Sequence, residues 1–113
     1  MTEKSLFTRI IDREIPSEIV FEDELCIAIR DISPQAPLHV LVVPKKPIAK
    51  LSDGTADDAE LIGHLMLKAA AIASDEGFED FRVVVNNGAA AGQSVFHLHV
   101  HVLAGRGLNW PPG

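Results

Sequence analysis

Apolar and polar positions along the chain switch between a helical and an alternating period, and each switch marks an element. Phe7, Ile10 and Ile11 fall at i, i+3 and i+4, which predicts a short helix over Ser5 to Asp12 that ends before Pro16. Ile19 to Glu22 and Leu25 to Ile29 then read as two β-prone runs around Asp23-Glu24, a hairpin with a two-residue connection that lacks the favoured glycine. Pro34 and Pro37 make Asp31 to Pro37 a loop, since proline removes ladder donors and biases its predecessor toward extended backbone. Leu38 to Val43 is almost wholly apolar, a strand buried on both faces and closed by Pro44 to Pro47; His39 is its single polar residue.

Beyond a polar stretch, Thr55 or Asp57 can cap a helix from Ala59 to Glu76, with acidic residues at its positive end and Gly77 as its stop. Leu61, Leu65, Lys68 and Ile72, or Ile62, Met66, Ala69 and Ala73, trace helical stripes that would pack on a sheet, leaving His64 on the helix surface. Phe81 to Val85 is β-prone, Asn86 to Ser94 is a loop of mostly small residues, and the run from His97 to Leu103 alternates like a strand. The order helix, three strands, helix, two strands predicts an α+β fold: a five-stranded antiparallel sheet with one long and one short helix, covered on one face. Repeats, low-complexity tracts and linkers are absent from the sequence, so residues 1–113 are expected to form one domain.

Composition narrows the function. A chain of 113 residues that is 47% hydrophobic can bury a core without staples. A formal charge of -6, with Lys45-Lys46 as the only notable basic pair, argues against a nucleic-acid polymer as partner. One cysteine, Cys26, allows neither an intrachain disulfide nor a multi-cysteine zinc cluster and reads as core. No signal-peptide core or membrane-length apolar run is present, so an intracellular, cytoplasmic protein with no membrane partner is expected.

The candidate chemistry lies near the end. His97, His99 and His101 occupy every second position of one short apolar run. On a strand they would share a face at roughly 6.6 Å spacing, within reach of one small ligand. Imidazole suits nucleophilic attack, proton transfer or metal ligation. The preceding loop could add backbone donors for an anion, with Gly88 and Gly92 permitting close approach and Gln93 and Ser94 adding side-chain donors. Three histidines and a water make a known zinc environment, but no fourth ligand or charged partner flanks the row; on residues alone, metal and nucleophile are equal. Asp31 and His39, each taken alone, have ordinary explanations as a turn acid and a core histidine. Trp110, before Pro111-Pro112, fits either chain-end docking or a subunit interface.

The run His97-Leu98-His99-Val100-His101-Val102-Leu103 resembles the signature of the histidine triad (HIT) superfamily, three histidines alternating with apolar residues. Gly92-Gln93-Ser94-Val95, Gly105-Arg106, Trp110-Pro111-Pro112-Gly113 and Asp31-Ile32-Ser33-Pro34-Gln35-Ala36-Pro37 extend the likeness to its nucleotide-binding (Hint) branch over nearly the whole chain. That resemblance implies a metal-free, cofactor-free homodimeric purine nucleoside phosphoramidase. In it, His99 would attack the α-phosphorus, expel the amine and form a nucleotidyl-histidine that water hydrolyses to a nucleoside monophosphate.

By the same resemblance His97 and His101 orient the central ring, bind phosphoryl oxygen and manage leaving-group protonation, and His39 is a fourth histidine near the nucleophile. Ser94 would meet the leaving group, Asn86 the phosphate and ribose, and the backbone from Gly92 through Gln93 and Ser94 to Val95 the phosphate. Asp31 would accept bonds from the ribose hydroxyls, while Phe7, Ile10, Ile29 and Ile32 line the base pocket. Trp110 would reach the partner's site across a dimer whose two sheets join into one of ten strands. Departures from the family pattern are Pro47 in place of a further histidine, Asn87 in place of an acid, and the apolar Ala89-Ala90-Ala91. Two other functions compete: a zinc-dependent hydrolase or zinc-binding protein using the same face, and a nucleotide-binding regulatory module.

Overall fold

The computed structural model describes residues 4–113. Helix α1 spans Leu6–Ile11, with Ser5 as its cap accepting a bond from Thr8 N–H. Strands β1 (Ile19–Glu22), β2 (Cys26–Arg30) and β3 (Leu38–Pro44) follow, then helix α2 (Ala59–Asp75), β4 (Arg82–Val84) and β5 (Val100–Ala104). All strand pairs are antiparallel, in the order β1-β2-β3-β5-β4, as the α+β reading expected. The hairpin connection is three residues, not two: Leu25 leaves the strand because the Asp23 carboxylate accepts from both Leu25 and Cys26 N–H, making the turn without glycine.

Opposite residues of an antiparallel pair share a face, so the register sorts the side chains. Ala28, Val42 and Val100 lie on one face, with Val40 and Val102, and pack against Leu65, Ala69, Ile72 and Ala73 of α2. The buried stripe is therefore narrower than predicted: Met66 is exposed, and Lys68 sits with its ammonium 5.0 Å from the Phe21 ring centroid. Of the two candidate caps, Thr55 acts, closing a reciprocal box with Asp58 one turn before α2.

The other face carries Ile27, Ile29, Leu41 and Val43, and α1 covers part of it through Phe7 and Ile10. This corrects the expectation of a sheet covered on one face only. A six-residue helix cannot cover a five-stranded sheet, and the remaining opening becomes the site.

The histidine run is not all strand. β5 begins at Val100, and His97 and His99 precede it. In this register the pair beyond Val43 and His99 would set Leu98 opposite Pro44, which has no N–H, so the ladder ends. Leu98 N–H turns instead to the carbonyl of Ile48, and the His97 ring takes the carbonyl of Pro44.

Candidate active site

A cavity of about 380 Å³ opens on the α1 side of the sheet. Its size suits a small organic ligand. Phe7 and Ile10 of α1, Ile29 of β2 and Leu41 of β3 supply apolar walls; Asp31, Asn86, Ser94, His99 and His101 supply polar ones. Ile32 stands at the mouth, 98% exposed. Leu41 faces His101 across the β3–β5 pair, and Ile15, Pro16 and Ser17 line the opening after α1. None of these four could be assigned from the sequence, because only the strand register and the path after α1 bring them there.

The histidines differ in what their ring nitrogens have left to offer. His97 is 1% exposed and does not line this cavity. Its Nε2 meets the Pro44 carbonyl at 2.7 Å, so it donates there, and Nδ1 is left to accept from a hydroxyl, with that of Ser5 at 2.8 Å and that of Thr8 at 3.2 Å. Both nitrogens are spent on fastening α1 and the end of β3 together. All three rings lie on the α1 side of the sheet, as the alternation predicts, but only His99 and His101 open into this cavity.

His99 Nδ1 donates to the His97 carbonyl at 2.8 Å, which leaves Nε2 as the remaining nitrogen of a ring that lines the cavity. Phe7 packs edge-on against that ring, with centroids 4.9 Å apart. The backbone thus selects the tautomer and an aromatic wall holds the plane.

His101 is set by a longer chain of bonds. Gln35 N–H donates to His39 Nδ1 at 3.0 Å, so neutral His39 carries its proton on Nε2 and passes it toward His101 Nδ1 at 2.9 Å. His101 accepts there, and its own proton sits on Nε2, beside His99. The Asp31 carboxylate lies 3.4 Å from His39 Nε2, while its other oxygen holds Ser33 N–H in a turn.

The loop before the triad bends through Gly88 and Gly92 at φ +93° and +101°, where a side chain would be strained. Its expected role needs correction in two respects. Gln93 is buried, and its side chain binds Gly88 N–H and the carbonyls of Ala49 and Val95, bracing the loop and facing no ligand. Of the four expected backbone donors from Gly92 to Val95, Gly92 and Gln93 N–H are consumed by Ala89 and Gly88 carbonyls, while Ser94 and Val95 N–H meet no acceptor among the described residues. Trp110 lies apart from the cavity and is 83% exposed.

A family model described as the HIT domain matches residues 12–108. The chain belongs to the HIT family. It is 57% identical over 114 residues to an uncharacterized HIT-like protein from Synechocystis, covering 100% of both chains. It is 47% identical to a 14 kDa zinc-binding protein from Zea mays, over 96% of this chain and 88% of that one. Among solved structures it is similar to a HIT family hydrolase from Legionella pneumophila, with a TM-score of 0.95 and 45% identity over 97% of this chain and 100% of that one.

In this HIT protein the triad is poorly disposed to hold a metal. Among the described residues, His97, His99 and His101 do not bring three ligand atoms within 4.8 Å of one another, and both nitrogens of His97 are engaged.

Burial lowers the proton affinity of three of these histidines. His101 is held down at about 4, by burial first and then by His99 and His39, against the opposing pull of Asp31. Burial also lowers His97 and His39. The unfolded chain, with histidines near 6.5, binds protons that the fold rejects, so this stabilisation is complete above about pH 6.5 and is lost as pH falls toward 4. Urea denaturation should show stability falling over that window, by on the order of 2 kcal/mol from His101. The fall should be shallower in His101→Asn; an unchanged slope would contradict the assignment.

Proposed function

We propose that this HIT protein is a hydrolase of nucleoside 5'-phosphoramidates, a purine nucleoside phosphoramidase of the Hint type. The carrying observation is a pair of rings with opposite assignments in one cavity: His99 offers an unprotonated Nε2, and His101 offers an Nε2–H. A nucleophile beside a hydrogen-bond donor is what in-line attack on phosphorus requires. That relatives such as the Legionella protein are named hydrolases supports the reaction class.

In this mechanism the His99 Nε2 lone pair attacks the α-phosphorus and the P–N bond breaks. Its electrons go to the departing nitrogen, which takes a proton from solvent by way of the Ser94 hydroxyl and leaves as the amine. Water then attacks phosphorus, the P–N bond to His99 breaks, and the nucleoside monophosphate leaves as the water proton is lost. His101 Nε2–H and the N–H groups of Ser94 and Val95 hold phosphoryl oxygens, and the Ser94 hydroxyl meets the departing amine. His97 acts through His99, by presenting the carbonyl that orients it. Phe7, Ile10, Ile29 and Ile32 take the purine, Asp31 the ribose hydroxyls, and Asn86 lies toward phosphate and ribose. No metal or cofactor enters these steps.

The protein acts as a cytoplasmic homodimer in this reading, joined through β4 into a ten-stranded sheet. The other edge is defended: β1 is bulged between Ile19 and Phe21, and Glu22 is tied to Arg13 and Lys45. Beside β4, Phe81 is exposed and shares a groove with Ala70 and Ser74, while Leu67, one turn earlier on α2, is 74% exposed. Trp110 would contact the leaving group across that dimer.

The test is turnover of adenosine 5'-phosphoramidate by chelator-treated protein, quenched during the reaction and analysed by mass spectrometry. Ammonia and AMP should form, and an adenylyl group should be found on His99. Failure to release AMP, or a burst-free reaction with no adduct, would overturn the reading.

A further inference from the structure

A second cluster of reactive side chains lies on the sheet face opposite the triad, unused by the mechanism. Asp23 in the β1–β2 turn, Cys26 at the start of β2 and His64 on α2 bring a carboxylate oxygen, a thiol sulfur and an imidazole nitrogen within 4.8 Å of one another. We propose that these three residues form a zinc site, separate from and independent of the phosphoramidase chemistry.

The donor set is one thiolate, one imidazole and one carboxylate, each a usual zinc ligand. Bonds of about 2.3 Å to sulfur and about 2.0 to 2.1 Å to nitrogen and oxygen put tetrahedral donors roughly 3.3 to 3.6 Å apart, so small side-chain movements suffice. His64 Nε2 now stands 2.7 Å from Asp23 Oδ2, and an ion entering between them replaces that proton bridge. Asp23 Oδ1 is held by two backbone N–H groups, which aims the carboxylate and leaves Oδ2 for the ion.

Access and charge agree. Cys26 is fully buried, but the Asp23 and His64 side chains are about one-quarter exposed, giving an ion a route in from the turn. The entering ion displaces the Cys26 thiol proton to solvent; with one thiolate and one carboxylate it is then neutral, so the nearby Lys45 and Lys68 ammonium groups oppose it little. The cluster at Asp31, His39 and His101 has no sulfur and is already tied into the catalytic tautomer chain. The zinc-binding relative from maize makes the question a concrete one for this family.

The experiment titrates the full chain, freed of metal, first with Co²⁺ as a spectroscopic probe and then with Zn²⁺ in competition. One equivalent should bind with a thiolate-to-cobalt charge-transfer band. Cys26→Ser should remove that band, and His64→Asn, a change at a partly exposed helix position, should weaken binding by more than about a hundred-fold. His99→Asn and His101→Asn should bind as the parent does. Absence of uptake, uptake without the sulfur band, or uptake that His101→Asn abolishes would each overturn the proposal.

Discussion

His99→Asn is expected to lower kcat on an adenosine phosphoramidate by about 10⁴-fold or more, since loss of a nucleophile removes the covalent route altogether. The fold should survive. His99 makes one hydrogen bond, through Nδ1 to the His97 carbonyl, and asparagine can donate to that carbonyl from a similar position. Nucleoside monophosphate binding should therefore change little, because the apolar walls are provided by Phe7, Ile10, Ile29 and Leu41. Steady-state rates and equilibrium titration with AMP check the two halves separately. A variant that keeps more than a tenth of parental turnover would rule out His99 as the attacking group.

The second large effect concerns the hydrogen-bond donor. His101→Asn is expected to lower kcat by about 10²- to 10³-fold, the range for one positioned donor to a transition-state oxyanion. His39→Asn should cost about ten-fold, by loosening the tautomer of His101. The double variant should be no worse than His101→Asn alone, because both residues act through one hydrogen bond at 2.9 Å. A merely structural role for His39 would leave the pH profile in place. Removing its ring relieves one of the influences that hold His101 down at about 4, so the acid limb of kcat/KM should move to higher pH. An additive double variant, or an acid limb that stays put in His39→Asn, would break the proposed relay.

Much of the fold was legible because the decisive signals are local. Proline at positions 34, 37, 44 and 47, the glycine after α2, and the change from helical to alternating period placed the elements to within a few residues. The errors have local causes too. Asp23 makes a turn that glycine usually makes, so the local pattern gives the hairpin connection one residue short. Alternation of histidine with aliphatics looks the same whether or not the opposite strand can offer a donor, so the late start of β5, short of Pro44 on β3, is invisible in it.

The candidate site was legible in kind. A row of histidines after a loop of small residues marks chemistry whatever the fold. Its division of roles was not legible, since His97, His99 and His101 are equivalent in a pattern. Likewise Gln93 looks like a ligand donor in sequence and becomes an internal brace only when Ala49 and Val95 carbonyls arrive beside it.

By itself the sequence determined the element order, the α+β class and the alternation that sends His99 and His101 to one face and Val100 and Val102 to the other, because these depend on backbone periodicity and proline chemistry within a few residues. Tertiary structure alone decided that His97 has no ring nitrogen free and that His101 keeps its Nε2 for the cavity. That choice rests on partners far along the chain: the Pro44 carbonyl for His97, and His39, itself set by Gln35 N–H, for His101. A tautomer is chosen by what the opposite nitrogen touches, and no local pattern records that.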